Sequence, residues 1–450
     1  MKIQRDMHGI RRCIGGLRPP FRARSPAPPK IPARSAKRHC ELADREAVRS
    51  DAWYVLAASD SVDHHISVRA FGHEVRVWRE ADGSPRSDLR FSDGGAPCRC
   101  TEAMGFVWAF YGDPSLDPPA IPFADEVGNT LSGGARAVTG SIEISANHWM
   151  VEENIVDTAH VPFVHGATVG DHAAFHSLQV ERDHDEVRFS FPIDSHARIA
   201  AKALRVNAKA AMRAPATAMI EFQALGGLRL TTLNCVVPVD GERTRVHFCQ
   251  MRTFLHVPLV DALVRRAMLN ILGEDKAILE SLRPYEVMHE ISIAADEPAL
   301  ALRAIRAKLP SSNHHDGDKS PPALPYVGCH VLCTEAEARR MTAKGPRSMR
   351  VAGRPIVLWQ RLDGELVAMD DACCHRAAPL SDGEIVTVVD PSDGSKLSCI
   401  QCPYHHIAFS ADGRIASVPT DDGTRRWPKR PLQKTHDMAV EDGHVVITMR

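Results

Sequence analysis

Two short cysteine–histidine motifs near the C-terminus have the residue types and spacing of a four-ligand metal site. Cys373 and His375 are separated by one residue, and Cys402 and His405 are separated by two. Two facing loops could therefore present two thiolates and two imidazoles together. Such a ligand set suits either a [2Fe–2S] cluster or a structural zinc ion. The spacing alone leaves both alternatives open.

A second group of polar residues lies near the middle of the chain. Asn154, Asp157 and His160 are spaced by three, which predicts that they share one face of a helix. We expect Pro162 to end that helix, because proline interrupts helical hydrogen bonding, and His165 can then turn back toward His160. Histidine pairs are often unrelated surface or core residues, but the preceding Asn and Asp favour a metal site here.

An iron site that activates oxygen needs a carboxylate beside two histidines. Asp275 is the candidate, since it falls with Ile278 and Leu279 on the apolar stripe of a predicted helix. A carboxylate on that stripe is costly unless it is paired or bound to a metal. An ion pair with an arginine is the alternative for Asp275. Glu274 and Glu280 point away from the stripe, and we expect them to be solvated.

Length and composition limit the classes of protein to consider. The chain has 450 residues, 44% of them hydrophobic, and a formal net charge of −1. It is long enough for two or three cores, and it has no overall basic bias toward nucleic acid. Twelve scattered cysteines favour a reducing compartment, and therefore a cytoplasmic location. Without an apolar run of about 18 residues, we expect no membrane span.

Changes in composition and pattern predict five segments along the chain. We predict a disordered basic tail, a small β-domain, a catalytic domain, a linker and a second small β-domain, at residues 1–45, 46–135, 136–310, 311–325 and 326–450. For the tail, a solvated segment or an over-long start is favoured over a transit peptide, because its prolines oppose an amphipathic helix.

The two small β-domains share a pattern that indicates an internal repeat. In each, a glycine precedes a tryptophan by six residues, Gly72 before Trp78 and Gly353 before Trp359, and an Asp-Gly turn follows. The first copy has only Cys98-Arg-Cys100 where the second has its ligand motifs. We therefore expect the first copy to keep the scaffold without a cluster.

The segment between the repeats contains alternating apolar and polar residues, which predict a curved antiparallel sheet. A long helix near residues 258–283 is expected to back this sheet and enclose an apolar pocket. The predicted fold class is α+β, with small all-β domains flanking a helix-grip-like catalytic domain.

The surroundings of the first motif carry a resemblance. Arg376 and Pro379 follow Cys373 and His375, while Pro403 and Tyr404 lie between Cys402 and His405. This pattern is similar to that of Rieske iron–sulfur domains. The resemblance implies that Cys373 and Cys402 bind one iron of a [2Fe–2S] cluster and that His375 and His405 bind the other.

Together with Asn154-x-x-Asp157-x-x-His160-x4-His165, the chain resembles the Rieske non-haem iron oxygenases, in the monooxygenase branch that includes vanillate and dicamba O-demethylases. The resemblance implies a mononuclear Fe(II) held by His160, His165 and Asp275. It also implies that Asp157 connects a histidine of the cluster to a histidine of the iron site. Asn154 belongs to the same catalytic signature.

The resemblance further implies hydroxylation or oxidative demethylation of an apolar, aromatic or steroid-like compound, with O2 and with electrons from a ferredoxin or flavin-dependent reductase. It implies a head-to-tail homotrimer, in which the cluster of one subunit serves the iron of the next. Because the complete cluster motif is C-terminal here, the sequence leaves open which chain each cluster serves. The alternative is a Rieske ferredoxin-like electron-transfer protein with a ligand-binding domain, and a zinc module is more remote.

Overall fold

The computed structural model describes residues 44–92, 94–169, 172–173, 178–195, 204–223, 227–287, 290–311, 328–390, 393–421 and 425–449. Most of the predicted tail and linker therefore lies outside the described residues. None of the helices within these ranges is long and apolar enough to cross a membrane.

The N-terminal region folds into two three-stranded antiparallel sheets. Its strands are β1 (Ala52–Ala58), β2 (His65–Ala70), β3 (His73–Arg79), β4 (Pro85–Ser87), β5 (Cys100–Ala103) and β6 (Phe106–Tyr111). One sheet has the order β1-β6-β5 and the other β2-β3-β4. At the β2–β3 turn, Phe71 and Gly72 have φ values of 54° and 81°. This left-handed pair matches the twist of a tight hairpin, and glycine adopts it at little cost.

The middle region is a long antiparallel sheet with helices packed against it. Its helices are α1 (Ala124–Ser132), α2 (His148–Val156), α3 (Val161–Val164), α4 (Pro258–Ser281) and α5 (Glu297–Arg306). Its strands are β7 (Arg136–Ile144), β8 (His172–Ala173), β9 (Gln179–Arg182), β10 (Glu186–Ser195), β11 (Leu204–Arg213), β12 (Thr217–Gln223), β13 (Arg229–Pro238) and β14 (Thr244–Arg252). The main path is β7-β14-β13-β12-β11-β10-β8, and β9 pairs with β10.

Helix α4 lies along the β7 end of this sheet. The apolar residues Met268, Leu272 and Leu279 on its inner face are buried, together with Asp275. At the N-terminal end of the helix, Asp261 pairs with Arg136 of β7 at 2.5 Å. The helix and sheet together give the α+β arrangement predicted from the sequence, and the fold class is confirmed.

The C-terminal region contains β15 (Gly328–Thr334), α6 (Glu335–Thr342), β16 (Arg347–Val351), β17 (Arg354–Gln360), β18 (Leu366–Asp370), β19 (Glu384–Val389), β20 (Lys396–Gln401), β21 (Ala408–Ser410), β22 (Ile415–Ser417), β23 (Thr435–Glu441) and β24 (His444–Met449). One sheet has the order β15-β24-β23-β18-β17-β16, and the smaller one β19-β20-β21-β22.

The strand order of the N-terminal region recurs in the C-terminal region. The first strand pairs with the last in both, β1 with β6 and β15 with β24, and the next three form a meander. The β16–β17 turn also has a left-handed pair, Ala352 and Gly353, with φ values of 49° and 83°. The regions differ mainly between β4 and β5, where residues 88–99 stand in place of residues 371–434 and their four-stranded sheet.

Candidate active site

A break between two helices positions the central histidines. Helix α2 ends at Val156, and Asp157 is extended, with φ −78° and ψ 113°. Pro162 lies in the first turn of α3, where its missing N–H costs nothing. The prediction that Pro162 ends the helix is therefore wrong, because it begins the next one. His160 and His165 flank that single turn, with ring centroids 5.1 Å apart.

His160, His165 and Asp275 lie together as a buried group with the composition of a metal site. The Asp275 Oδ1 atom is 3.3 Å from His160 Nε2 and 3.0 Å from His165 Nε2. Among the described residues, one ligand atom from each lies within 4.8 Å of the others. Burial opposes ionisation of Asp275, but hydrogen bonds with the two histidines outweigh it and lower its pKa. Two imidazoles and one carboxylate are the ligands of non-haem Fe(II) oxygenases.

Glu274 contacts the same site, contrary to its predicted solvation. Its Oε2 atom lies 2.7 Å from His165 Nδ1 and accepts a hydrogen bond from Thr168 Oγ1 at 2.7 Å. Neighbours on a helix diverge by about 100°, so Asp275 and Glu274 reach opposite nitrogens of one ring. Glu280 is exposed, as expected, and it accepts a hydrogen bond from the Ser145 backbone N–H at 2.7 Å. Only the three-dimensional path of residues 160–168 brings Glu274 to His165.

The four predicted cluster ligands also converge. Cys373, His375, Cys402 and His405 are all buried, and the two imidazole centroids are 4.5 Å apart. The loops that carry the ligands turn through two residues with positive φ, 63° at Ala377 and 53° at His406. Each loop is closed by backbone hydrogen bonds between its ends, Cys373 with Ala378 and Cys402 with Ile407.

The imidazoles of this group have one ring nitrogen available for a metal. His375 Nε2 lies 2.9 Å from Asp296 Oδ2, and His405 Nε2 lies 2.7 Å from Asp157 Oδ2. Within the described part of the chain, the buried Nδ1 atom of each ring has no hydrogen-bond partner. Two free Nδ1 atoms beside two buried thiols fit a cluster with Cys₂His₂ ligation. Asp296 has no motif around it in the sequence, and its contact with His375 was not predicted.

Asp157 lies between the two ligand groups. Besides its contact with His405, its Oδ2 atom is 3.9 Å from His160 Nδ1, and its Oδ1 atom accepts the Ala159 N–H at 2.8 Å. Burial opposes the charge on Asp157, but the charge of His405 and its hydrogen bond lower the carboxyl pKa. Among the described residues, Asn154 has no hydrogen bond to a histidine side chain; its Nδ2 donates to Tyr404 Oη at 3.0 Å.

A largely apolar cavity of about 150 Å³ opens onto His160, His165 and Asp275. Aromatic side chains from the sheet line it, together with residues of α4 such as Met268 and Leu272. Its polar residues away from the ligands are Thr232, Asn234 and Gln250, whereas no Arg or Lys is present among its described lining residues. Thr232 Oγ1 donates to Gln250 Oε1 at 3.0 Å.

Comparison with known families decides between a cluster and a zinc ion. The Rieske [2Fe-2S] domain family matches residues 330–428. The family of the vanillate O-demethylase oxygenase C-terminal domain matches residues 144–311. The chain belongs to the Rieske non-haem iron oxygenases. The predicted family is confirmed, as is a Rieske [2Fe–2S] domain at the C-terminal end of this oxygenase chain.

Individual relatives cover different parts of this Rieske oxygenase. A probable methylxanthine N7-demethylase from Pseudomonas sp. (strain TJI-51) is 27% identical over 270 residues, covering 56% of this chain and 92% of the relative. Aminopyrrolnitrin oxygenase from Pseudomonas fluorescens is 38% identical over 74 residues, covering 16% of this chain and 18% of the relative. Dicamba monooxygenase bound to 3,6-dichlorosalicylic acid is 18% identical, with a TM-score of 0.49 over 58% of this chain and 97% of that one.

Proposed function

We propose that this chain is the oxygenase component of a system that uses O2 and two electrons to hydroxylate or oxidatively demethylate a small organic compound. One observation carries this proposal. The Asp157 carboxylate contacts His405, a predicted cluster ligand, and also lies close to His160, a predicted iron ligand. A protein that only transferred electrons would need no second ligand group at the end of this path.

We assign roles to the residues as follows. Cys373 and Cys402 hold one iron of the cluster, and His375 and His405 hold the other, through their Nδ1 atoms. His160, His165 and Asp275 hold the mononuclear Fe(II) where the three residues face the cavity. When bound, this iron activates O2, with the cluster supplying electrons. Asp157 orients His405 and His160, and Asn154 holds Tyr404 beside the cluster loop.

The cavity supports a neutral, ring-shaped substrate. A cavity of this volume accommodates a benzene-sized ring. A carboxylate would be desolvated there without a cationic partner, which is costly. Asn234 is only 3% exposed, and its Oδ1 atom has no hydrogen-bond partner among the described residues. It is placed to accept a hydrogen bond from an O–H or N–H group of the substrate.

For a methyl ether, the balanced reaction is R–O–CH3 + O2 + 2 e⁻ + 2 H⁺ → R–OH + HCHO + H2O. A ferredoxin or a flavin-dependent reductase supplies the electrons.

We also propose the domain division at residues 46–135, 136–310 and 326–450, with the first domain a Rieske scaffold without a cluster. The matching strand orders and the short 88–99 connection support that assignment. A head-to-tail homotrimer stays a prediction. A cytoplasmic location stays one too, supported by ten free cysteines in the described ranges.

The direct test supplies NADH, a flavin-dependent reductase and a ferredoxin to the anaerobically purified protein and then adds O2. We expect 2-methoxyphenol to yield formaldehyde and catechol, whereas 2-methoxybenzoate is a poor substrate. When a substrate is hydroxylated on its ring under ¹⁸O2, the label should appear in the hydroxylated product. The electron-transfer alternative would be favoured if the cluster is reduced and reoxidised while the His160 site holds no iron and a panel of neutral ring compounds gives no product.

The cavity assignment has its own test. We expect Asn234→Leu to weaken binding of 2-methoxyphenol by roughly tenfold, because a buried hydrogen bond is lost. Binding of anisole, which lacks the hydroxyl, should change little. Asn207→Leu is the matched control, because Asn207 is exposed on β11, another strand of the same sheet. Calorimetric titration of both compounds measures the difference. Equal weakening of both ligands would contradict the role given to Asn234.

A further inference from the structure

We propose that the cluster of each chain serves the iron of the same chain, and that Arg376 is the positioning residue that fixes the two sites in register. This inference rests on the proposed function. It answers a question that the sequence leaves open, because a cluster domain at the C-terminus could reach either its own catalytic region or a neighbour's.

The first observation is that the cluster loop directly contacts the residues beside the iron ligands of its own chain. His405 meets Asp157 at 2.7 Å, and Tyr404 accepts the Asn154 amide at 3.0 Å. Asp157 is only 4% exposed. A cluster from another chain could not reach Asp157 without first displacing the ligand loop of its own chain. The ligand loop of the same chain therefore already covers the surface around Asp157.

The second observation is a buried ionic network centred on Arg376. The Arg376 guanidinium pairs with Glu153 of α2 and, at 3.0 Å, with Asp296, the same carboxylate that holds His375. Arg303 of α5 donates to both oxygens of the same Glu153 carboxylate, each at 2.5 Å. A planar guanidinium can bridge two carboxylates in a fixed geometry. Arg376 thus ties the cluster loop to α2, the helix that Asp157 follows directly.

The third observation is that backbone and apolar contacts continue across the same boundary. The Arg283 N–H donates to the Ala377 carbonyl, and the Ile291 N–H donates to the Cys374 carbonyl, each at 2.9 Å. Apolar residues from both regions also form one core, which includes Ala159, Ile291 and Ile293 with Leu380, Ile400 and Phe409. Hydrogen bonds and a common core are typical of a permanent interface rather than of a tethered, mobile domain.

A head-to-tail ring is therefore unnecessary for electron transfer in this protein. If the protein forms oligomers, their interface lies elsewhere than at the Asp157 contact. The N-terminal region keeps the strand order of the cluster domain without the segment that carries the ligands, so it has no second cluster motif to offer to a neighbour.

Electron paramagnetic resonance of the reduced cluster tests this proposal without relying on turnover. A paramagnetic Fe(II) nearby speeds the spin relaxation of the cluster, which raises the microwave power needed for saturation. Asp275→Ala chains should keep the cluster and lose the iron, whereas Cys402→Ser chains should keep the iron and lose the cluster. The two variants are purified separately and also after coexpression, with light scattering to determine the oligomeric state.

We expect the wild-type cluster to relax fast, and the Asp275→Ala cluster to relax slowly both alone and with Cys402→Ser chains. Coexpressed chains should also show no single-turnover product. A monomer by light scattering with fast relaxation would support the proposal equally. If coexpression of the two variants restores fast cluster relaxation or product formation, the proposal is overturned. Absence of iron from the wild-type protein at the His160 site would instead contradict the proposed function, so the two failures are distinguishable.

Arg376→Gln tests the positioning role. We expect the variant to load both metals with an unchanged cluster spectrum, while cluster reoxidation by O2 slows by roughly 10- to 100-fold. Arg376→Lys should recover part of the rate, because a lysine keeps the charge but cannot bridge both carboxylates. Arg361→Gln is the control, because Arg361 pairs only with Asp363 and Glu365 of its own hairpin among the described residues. If Arg376→Gln reoxidises at the wild-type rate, Arg376 does not position the cluster.

Discussion

The Glu274 carboxylate lies 2.7 Å from His165 Nδ1, the ring nitrogen opposite the one that faces Asp275. With the proton held on Nδ1, the Nε2 lone pair is free to bind a metal. We predict that Glu274→Ala lowers iron affinity by roughly 10- to 100-fold, as loss of such a hydrogen-bond partner does in other metal sites. Competition with a chelator measures the affinity.

Glu280→Ala is the matched control, since Glu280 is on the same helix and bonds to the Ser145 backbone instead. It should bind iron like the wild type. Equal losses in the two variants would mean that the helix, rather than the His165 contact, explains the effect.

Cys402→Ser should abolish the [2Fe–2S] cluster and leave the mononuclear iron in place, because the two ligand groups are separate and each is complete. The measurements are the EPR signal of the reduced cluster, acid-labile sulfide and iron content. Cys374→Ser is the control, because Cys374 is the neighbouring thiol that the ligand set leaves out. Loss of both centres in Cys402→Ser, or loss of the cluster in Cys374→Ser, would show that the ligands are wrongly assigned.

The N-terminal β-region should bind no cluster. Cys98 and Cys100 lie in and beside the short connection that replaces the ligand segment, and burial raises the pKa of both thiols. A Cys98→Ser/Cys100→Ser double variant should therefore keep the wild-type ratio of two sulfides per chain. A fall in that ratio would contradict the prediction.

Buried His247 should make the fold less stable in mild acid. Burial, together with the nearby charge of Arg245, lowers the pKa of His247 from 6.5 to about 3. Between these two values the unfolded chain binds a proton that the folded chain does not, so stability falls as pH drops below 6.5 and stops falling near 3. At pH 5.5 the loss from this one group is about 1 kcal/mol relative to pH 7.5.

Urea unfolding at both pH values measures this contribution. His247→Phe fills the same space without the titrating group, so we expect its pH dependence to shrink by about that amount. His256→Phe is the control, because His256 is exposed in the folded protein. An unchanged pH dependence in His247→Phe would contradict the assignment.

Local patterns selected candidate ligands that the structure brings together, because metal sites need specific side chains at short spacing. His160 and His165 flank one helical turn, and each Cys–His pair lies within one loop. Residues that support the ligands were not predictable in this way. Glu274 and Asp296 reach their histidines across more than 75 residues, through the packing of separate elements.

Fold class followed from alternation in the strands and from the apolar stripe of α4, and both patterns reflect burial on one face. The break after Val156 was misplaced because Pro162 is compatible with either the end or the start of a helix. The docking of the cluster loop onto its own chain depends on Arg376, Glu153 and Asp296, which have no common motif. That arrangement arises from the packing of separate elements, which short sequence patterns do not encode.

Asp157→Asn tests the central claim, which is that this carboxylate connects the cluster and the iron within one chain. The substitution keeps the shape and removes the charge between His405 and His160, so both metals should still load. The measurement is the single-turnover oxidation of the pre-reduced cluster on mixing with O2 and substrate, followed optically, with product quantified. We predict that the rate of cluster oxidation and the product yield both fall by orders of magnitude. Reoxidation at the wild-type rate with full product yield would contradict the claim.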